Sequence, residues 1–272
     1  MAHYDAQGLM TTTNNTTIHK TALVSEKAEI GTGVEIGPYS IIGDDVQIGN
    51  DTIVGPHVVI EGATRIGERC RIFQFCAVGA IPQDLKFKDD RTEVVIGNDN
   101  TFRECVTINR GTTGGGGRTV LGNNNFLMAY SHVAHDCQIG NQVIIANSAS
   151  LAGHIHIEDC AILGGLVGVH QFVHIGSYAM IGGLTGVSKD VPPYVMAVGE
   201  RAKLYGLNLN GLKRRGFSAQ AISELKSAYR IIFRSGLTLN AALEKIAEEQ
   251  LTCAEVEHLV SFIKNSERGI IR

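Results

Sequence analysis

Aliphatic residues recur at every sixth position through most of this chain. From Ile18 the series runs Val24, Ile30, Ile36, Ile42, Ile48, Val54, Ile60, Ile66, Ile72 and Val78. It returns in phase at Ile96, Phe102 and Ile108, and after a one-residue shift runs from Leu121 to Val187. Of 26 such lead positions, 25 are aliphatic and the other is Phe102, so the pattern is a repeat and not a chance run. Gly often follows the lead residue, as at Gly31, Gly37 and Gly43, and a small residue often sits four places after it, as at Ala22, Ser40, Thr52, Cys70 and Cys76. Six is a multiple of the two-residue strand period and does not match the turn of a helix. A short strand and a tight, Gly-assisted turn fit into six residues. Three such units close an 18-residue coil of a triangular prism, its lead residues inward and its coils hydrogen-bonded as a parallel ladder about 4.8 Å apart. The expected fold is mainly β, a parallel β-helix over residues 18–193.

Two stretches break the repeat, 81–94 (IPQDLKFKDDRTEV) and 111–119 (GTTGGGGRT). Coils cannot absorb such inserts, so both are expected to project as loops, where rigid scaffolds commonly carry function. The Gly-rich segment lacks the Lys-Ser/Thr ending of a phosphate-binding P-loop. Residues 1–17 are polar and read as a disordered extension. After Val191-Pro192-Pro193 the six-residue pattern stops, and 194–272 reads as a helical domain. Apolar residues at helical spacing predict helices over 218–235, 239–250 and 253–267, with Thr252 and Glu255 in a capping-box pattern.

Composition narrows the classes. Hydrophobic residues make up 44% of the 272 positions and aromatics only 6%, which suits a narrow, regular core and excludes wholesale disorder. No apolar run approaches the ~18–20 residues of a membrane span, and the first 17 residues lack the basic and apolar regions of a secretory signal. Six cysteines without a C-x-x-C pair point to reduced, packed thiols, a cytoplasmic setting and no structural zinc. Residues 200–272 carry 12 Lys/Arg against 8 Asp/Glu, while the preceding 199 carry 12 against 19. The basic excess fits a solvated surface or the docking of an acidic partner. Nothing points to nucleic acid.

Six histidines, His132, His135, His154, His156, His170 and His174, fall within 43 residues. At 18 residues per coil, His135, Gly153 and Gln171 form one column, and Gln138, His156 and His174 another. Three chemistries compete for this cluster: a surface ladder without function, a metal site of converging imidazoles, and acyl transfer. The last needs one His as general base for a hydroxyl nucleophile and an N–H donor for the oxyanion. Gly153, one coil from His135, offers an unobstructed N–H.

The repeat resembles the hexapeptide-repeat transferases, and that likeness, not the general crossover rule, implies a left-handed coil. Within them, IPQDLKF (81–87), TINRGT (107–112), SHVAHDC (131–137), LAGH (151–154), GVHQF (168–172), DVPPYV (190–195) and GLKRRGF (211–217) resemble the acyl-carrier-protein:UDP-N-acetylglucosamine O-acyltransferases. The likeness runs from about residue 18 to the C-terminus. The related N-acyltransferases carry an extra N-terminal uridine-binding domain, for which this chain has no room.

The resemblance implies transfer of an (R)-3-hydroxyacyl chain from acyl carrier protein to the 3-hydroxyl of UDP-N-acetylglucosamine, the first step of lipid A biosynthesis. It implies a homotrimer and no metal or other cofactor. His135 matches the general base, Asp136 the residue that orients it, and Gly153 the oxyanion donor. Strict strand alternation would point Asp136 away, so its role requires a corner position. Gln83 and Asp84 match loop residues that contact substrate across a subunit boundary. Lys86, His132, His154, His170 and Gln171 match the lining of the nucleotide-sugar site. Asn208, Arg214 and Arg215 match residues near the donor and the phosphates, where paired Arg hydrogen bonds suit a diphosphate. Gly183, with Gly165 one coil away, matches the ruler that sets acyl length, and a glycine there implies a preference for longer chains. Asn109, Arg201 and Asn210 depart from residues some members carry. The competing readings are a metal-dependent, carbonic-anhydrase-like enzyme on the same fold and a non-enzymatic β-helix.

Overall fold

The computed structural model describes residues 10–13, 15–88 and 91–272. The chain coils as a left-handed parallel β-helix whose three faces are sheets of 12, nine and eight short strands. Register follows the 18-residue arithmetic: His132 lies beside Ser150, Gln138 beside His156, and His156 beside His174. Every lead residue from Ile36 to Val187 is buried, none more than 4% exposed, and Phe102 is fully enclosed. Ile18, Val24 and Ile30, at the open end of the prism, are only partly buried.

The turns are built differently from the Gly-assisted form expected. The left-handed conformation falls three residues after the lead, on side chains such as Tyr130 (φ 63°), Asp136 (φ 60°) and Gln142 (φ 56°). The glycines that follow lead residues serve contact between coils instead. A Cβ at Gly37 would lie 2.7 Å from the Gly55 carbonyl carbon, and one at Gly49 2.6 Å from that of Gly67. Ser40 and Thr52, at the small position four after the lead, are buried and bond the next coil: Ser40 Oγ donates to Gly55 O at 2.7 Å and Thr52 Oγ1 to Gly67 O at 2.9 Å. Cys70, Cys76 and Cys137 fill the same slot. Burial pushes the Cys76 and Cys137 thiols up to about 12, which keeps them unreactive.

The ends of the prism differ from the expected boundaries. Met10–Thr13 pairs antiparallel with Thr16–His19 and covers the edge that strand would otherwise leave open, so part of the 1–17 extension is sheet. Residues 1–9 and 14 lie outside the described residues. Beyond Pro193, Val195–Val198 joins the 12-stranded sheet and Lys203–Leu207 returns against it, so the helices begin only at Leu209.

They are α1 (Leu209–Arg214), α2 (Ala219–Arg234), α3 (Leu239–Glu248) and α4 (Ala254–Asn265). Asn208, Ser218 and Thr238 cap the first three through their side chains. The Thr252–Glu255 capping box does not form: the N-cap of α4 is Cys253, and its N–H donates to Glu224 Oε2 of α2 at 3.0 Å. The cap is thus a contact between helices.

A polar clasp fixes α4 to the eight-stranded face. Glu158 lies 3.0 Å from His174 Nε2 and 2.9 Å from His258 Nε2, and Ser177 donates its N–H and hydroxyl to Oε2. His258 Nδ1 meets Tyr194 Oη at 2.8 Å, and His174 stacks on His156 at 4.3 Å. Burial alone would raise the Glu158 carboxyl, but the adjacent His174 and His258 imidazoles and the Ser177 hydrogen bonds outweigh it and hold the group far below the usual range. A carboxyl depressed in the folded state contributes its stability above the ordinary value of about 4.3, and that stability is lost as pH falls through the folded value. Glu158→Gln should remove ~1–3 kcal/mol, and each kcal/mol lowers Tm by roughly 2–4 °C at this chain size. Thermal melts of both proteins should show a gap that persists from about pH 7 to 5 and narrows below about 4. A constant gap down to pH 3 would contradict the clasp.

Candidate active site

The corner between the nine- and eight-stranded sheets gathers the site. The chain turns there between strands His132–Val133 and Gln138–Ile139, and again one and two coils on. Asp136 occupies the left-handed turn position, so its side chain folds back beside its neighbour. His135 Nδ1 lies 2.7 Å from Asp136 Oδ2. This is the corner placement that the orienting role requires. The Asp136 side chain is fully enclosed, while the His135 ring stays 14% accessible.

The next coil supplies Gly153 and His154. A Cβ at Gly153 would fall 2.5 Å from His135 Cε1 and 2.7 Å from Nε2, so only glycine lets the imidazole lie on the backbone. Among the described residues no carbonyl accepts from the Gly153 N–H. His154 meets His135 edge-on at 5.1 Å and stacks on Phe172 at 4.4 Å. Burial, with the charge of His135, lowers the pKa of His154 against the pull of Asp136 and Asp84. Burial and the same neighbour lower that of His132, whose Nδ1 bonds Thr107 Oγ1 at 2.7 Å. The flanking imidazoles therefore favour the neutral form.

Of the loop residues, Gln83 and Lys86 are exposed and Asp84 is half-buried. Asp84 caps its own turn, with Lys86 N donating to Oδ1 at 2.9 Å. Its charge is felt by His154 of the same chain. The loop base is tied down by Asn109 Nδ2, which donates to Ile81 O at 2.9 Å, and by Arg110 stacked over Phe87. His170 and Gln171 are exposed on the third coil, with Arg268 Nη2 3.3 Å from His170 Nδ1.

The C-terminal residues lie elsewhere. Arg215 bonds Gln142 Oε1 at the corner between the eight- and 12-stranded sheets, one face away from His135. Arg214 is exposed beside it. Asn208 differs from the expectation of a substrate contact: it is 5% exposed, its Oδ1 accepts from Gly211 N, and its Nδ2 donates to Tyr178 O. Both ends of the amide are used in capping α1 against the prism. Gly183 and Gly165 stack at the third corner, where a Cβ on Gly183 would sit 3.1 Å from Gly165 O, with Leu166 and Leu184 exposed alongside.

Residues given no role in the sequence complete the dyad. Thr112 donates its N–H to Asp136 Oδ1 at 2.8 Å and its hydroxyl to Oδ2 at 2.6 Å. The Asp136 N–H donates to Thr119 Oγ1 at 2.8 Å. The break in the repeat at 111–119 was the signal for them. Ligand atoms of His135, Asp136 and His154 lie within 4.8 Å of one another, a group that could take a cation. A cation bound through Nδ1 and Oδ2 would displace the proton shared by His135 and Asp136. The geometry alone therefore serves general-base chemistry or, with that proton lost, metal binding.

Comparison with known proteins gives the family. Residues 190–271 match the family described as UDP-N-acetylglucosamine O-acyltransferase, domain 2, and residues 27–62 and 118–153 match the bacterial transferase hexapeptide (six repeats). A curated acyl-[acyl-carrier-protein]–UDP-N-acetylglucosamine O-acyltransferase from Thermodesulfovibrio yellowstonii is 57% identical over 94% of this chain and 99% of its own. Its counterpart from Thiobacillus denitrificans is 52% identical, with the same coverage of both chains. LpxA from Acinetobacter baumannii superposes with a TM-score of 0.90 at 46% identity, covering 94% of this chain and 99% of that one. At more than half identity over nearly the full length of both chains, the chain belongs to the acyl-[acyl-carrier-protein]–UDP-N-acetylglucosamine O-acyltransferase family.

Proposed function

We propose that this protein transfers a 3-hydroxyacyl chain from acyl carrier protein to the 3-hydroxyl of UDP-N-acetylglucosamine, the first step of lipid A biosynthesis. The observation that carries this reading is the His135–Asp136 pair lying against the bare backbone of Gly153. With Asp136 accepting at Nδ1, the proton of the neutral imidazole sits on that nitrogen, and Nε2 is left as a base. Nε2 takes the proton of the sugar hydroxyl as its oxygen attacks the thioester carbonyl. The Gly153 N–H stabilises the oxyanion. Collapse expels the carrier's thiolate, which takes the proton back from His135.

The other roles follow the same reading. Gln83, Asp84, Lys86, His132, His154, His170 and Gln171 line the nucleotide-sugar site. Arg214 and Arg215 meet anionic groups of the substrates, and the basic C-terminal part docks the acidic carrier. A homotrimer is supported by an exposed apolar corner, where Tyr39, Phe75, Tyr130, Leu166 and Leu184 stand in a column and Tyr39, His57 and Phe75 stack at 5.1 and 5.3 Å. A neighbouring prism would cover it and bring a second chain to the site, which one prism alone leaves with its Arg pair a face away. A cytoplasmic location fits the inert thiols, and among the described residues no helix is long and apolar enough to cross a membrane.

His135→Ala should leave the melting profile intact and lower turnover by ~10²–10⁴-fold. Near-wild-type turnover in that variant would overturn the base assignment, and loss of activity on removal of bound metal would favour the cation reading. Gly183 is the acyl ruler in this account, and the open glycine corner takes longer chains. Gly183→Met should shift the preferred donor toward shorter chains, each lost methylene being worth ~0.8 kcal/mol. A series of acyl-carrier donors of graded length reads the shift, and an unmoved optimum would place the ruler elsewhere.

A further inference from the structure

The Gly-rich loop between two strands of the repeat has no part in the substrate contacts above, yet it closes over the back of the catalytic pair. Thr112 is its hub. The Thr112 carbonyl accepts from Gly115 N at 3.0 Å and Gly117 N at 2.9 Å, which curls the loop upon itself. Its own N–H and hydroxyl both point at the Asp136 carboxylate, at 2.8 and 2.6 Å. Gly116 and Gly117 turn with φ of 95° and 82°, conformations open to glycine. Gly115 packs so closely that a Cβ there would lie 2.1 Å from Asp136 Cγ. The loop is fastened to the prism through Gly111 N to Glu93 O and Glu93 N to Gly117 O.

From these contacts we infer that Thr112 is a positioning residue for the reaction, acting through Asp136 on His135. The inference rests on the proposed role of His135 and Asp136 as base and orienting partner. Asp136 Oδ2 receives two donors, the Thr112 hydroxyl and His135 Nδ1–H. The hydroxyl therefore holds the very oxygen that aims the imidazole. Oδ1 is held by the Thr112 N–H, so the carboxylate is gripped at both oxygens and cannot swing about its Cβ–Cγ bond. Thr112 touches neither hydroxyl nor thioester in this arrangement; its effect is on the geometry of attack and not on substrate affinity.

The test compares wild type, Thr112→Val, Thr112→Ser and His135→Ala in steady-state acyl transfer, with thermal melts of each. Thr112→Val keeps shape and N–H but deletes the donor. It should lower kcat by ~10–100-fold, the worth of a hydrogen bond to a charged group. KM for the nucleotide sugar should stay within about twofold, and Thr112→Ser should restore most of kcat. Wild-type kcat in Thr112→Val would overturn the inference. So would a serine variant as slow as the valine one, or a loss expressed in KM. If His135→Ala itself turns over normally, the base assignment fails instead, and the two failures are told apart within one experiment.

Discussion

The close stacking of coil on coil governs this molecule. Parallel ladders hold successive coils in register, and at many corners backbone meets backbone with no space for a Cβ, as at Gly37 against Gly55. That closeness forces every 18th residue into one column. It therefore decides which chemistry can be assembled: residues far apart in sequence meet only if they share a column or an adjoining turn. His135, Gly153 and His154 satisfy this, while Arg215, outside the repeat at the end of α1, reaches the prism a face away, beside Gln142.

The site depends on an unusual backbone position used for a chemical purpose. A left-handed turn costs little at Asp, and here it rotates Asp136 out of strand alternation to lie beside His135. The neighbours are arranged to keep that pair the focus of charge. His132 and His154 are pushed toward neutrality by burial, and the carboxylate is satisfied by backbone and hydroxyl donors. One strand beyond His154 on the same coil another carboxylate, Glu158, does structural work with the same residue types. His156 and His174 belong to this second group, so a histidine-rich stretch resolves into the His135 corner and a structural cluster.

Much of this was legible in the chain itself. The period of six located the prism, its core and its columns because burial of lead residues is a strict consequence of the coil, and Phe102 entered the core in register despite its size. The helices α2, α3 and α4 emerged from apolar spacing to within a few residues. Other features depend on contacts that no local pattern carries. The start of α4 is satisfied by Glu224, 29 residues away, so Thr252–Glu255 misled. The strands Val195–Val198 and Lys203–Leu207 have no six-residue repeat, because they cap the prism without adding a full coil. Asn208 matches a family site residue by resemblance, and in the fold its amide is used in a helix cap. The glycine-rich break marked the loop but not Thr112 within it, because only the fold lays that residue against Asp136.

The central claim is that the His135 corner directs a sugar hydroxyl onto a carrier-bound thioester. It is tested most directly by incubating the purified protein with 3-hydroxyacyl carrier protein and UDP-N-acetylglucosamine, while following free thiol and sugar product together. The account predicts one thiol released for each ester formed, with the acyl group on the 3-hydroxyl. Thiol release without an acylated sugar, or acylation at another position, would contradict it.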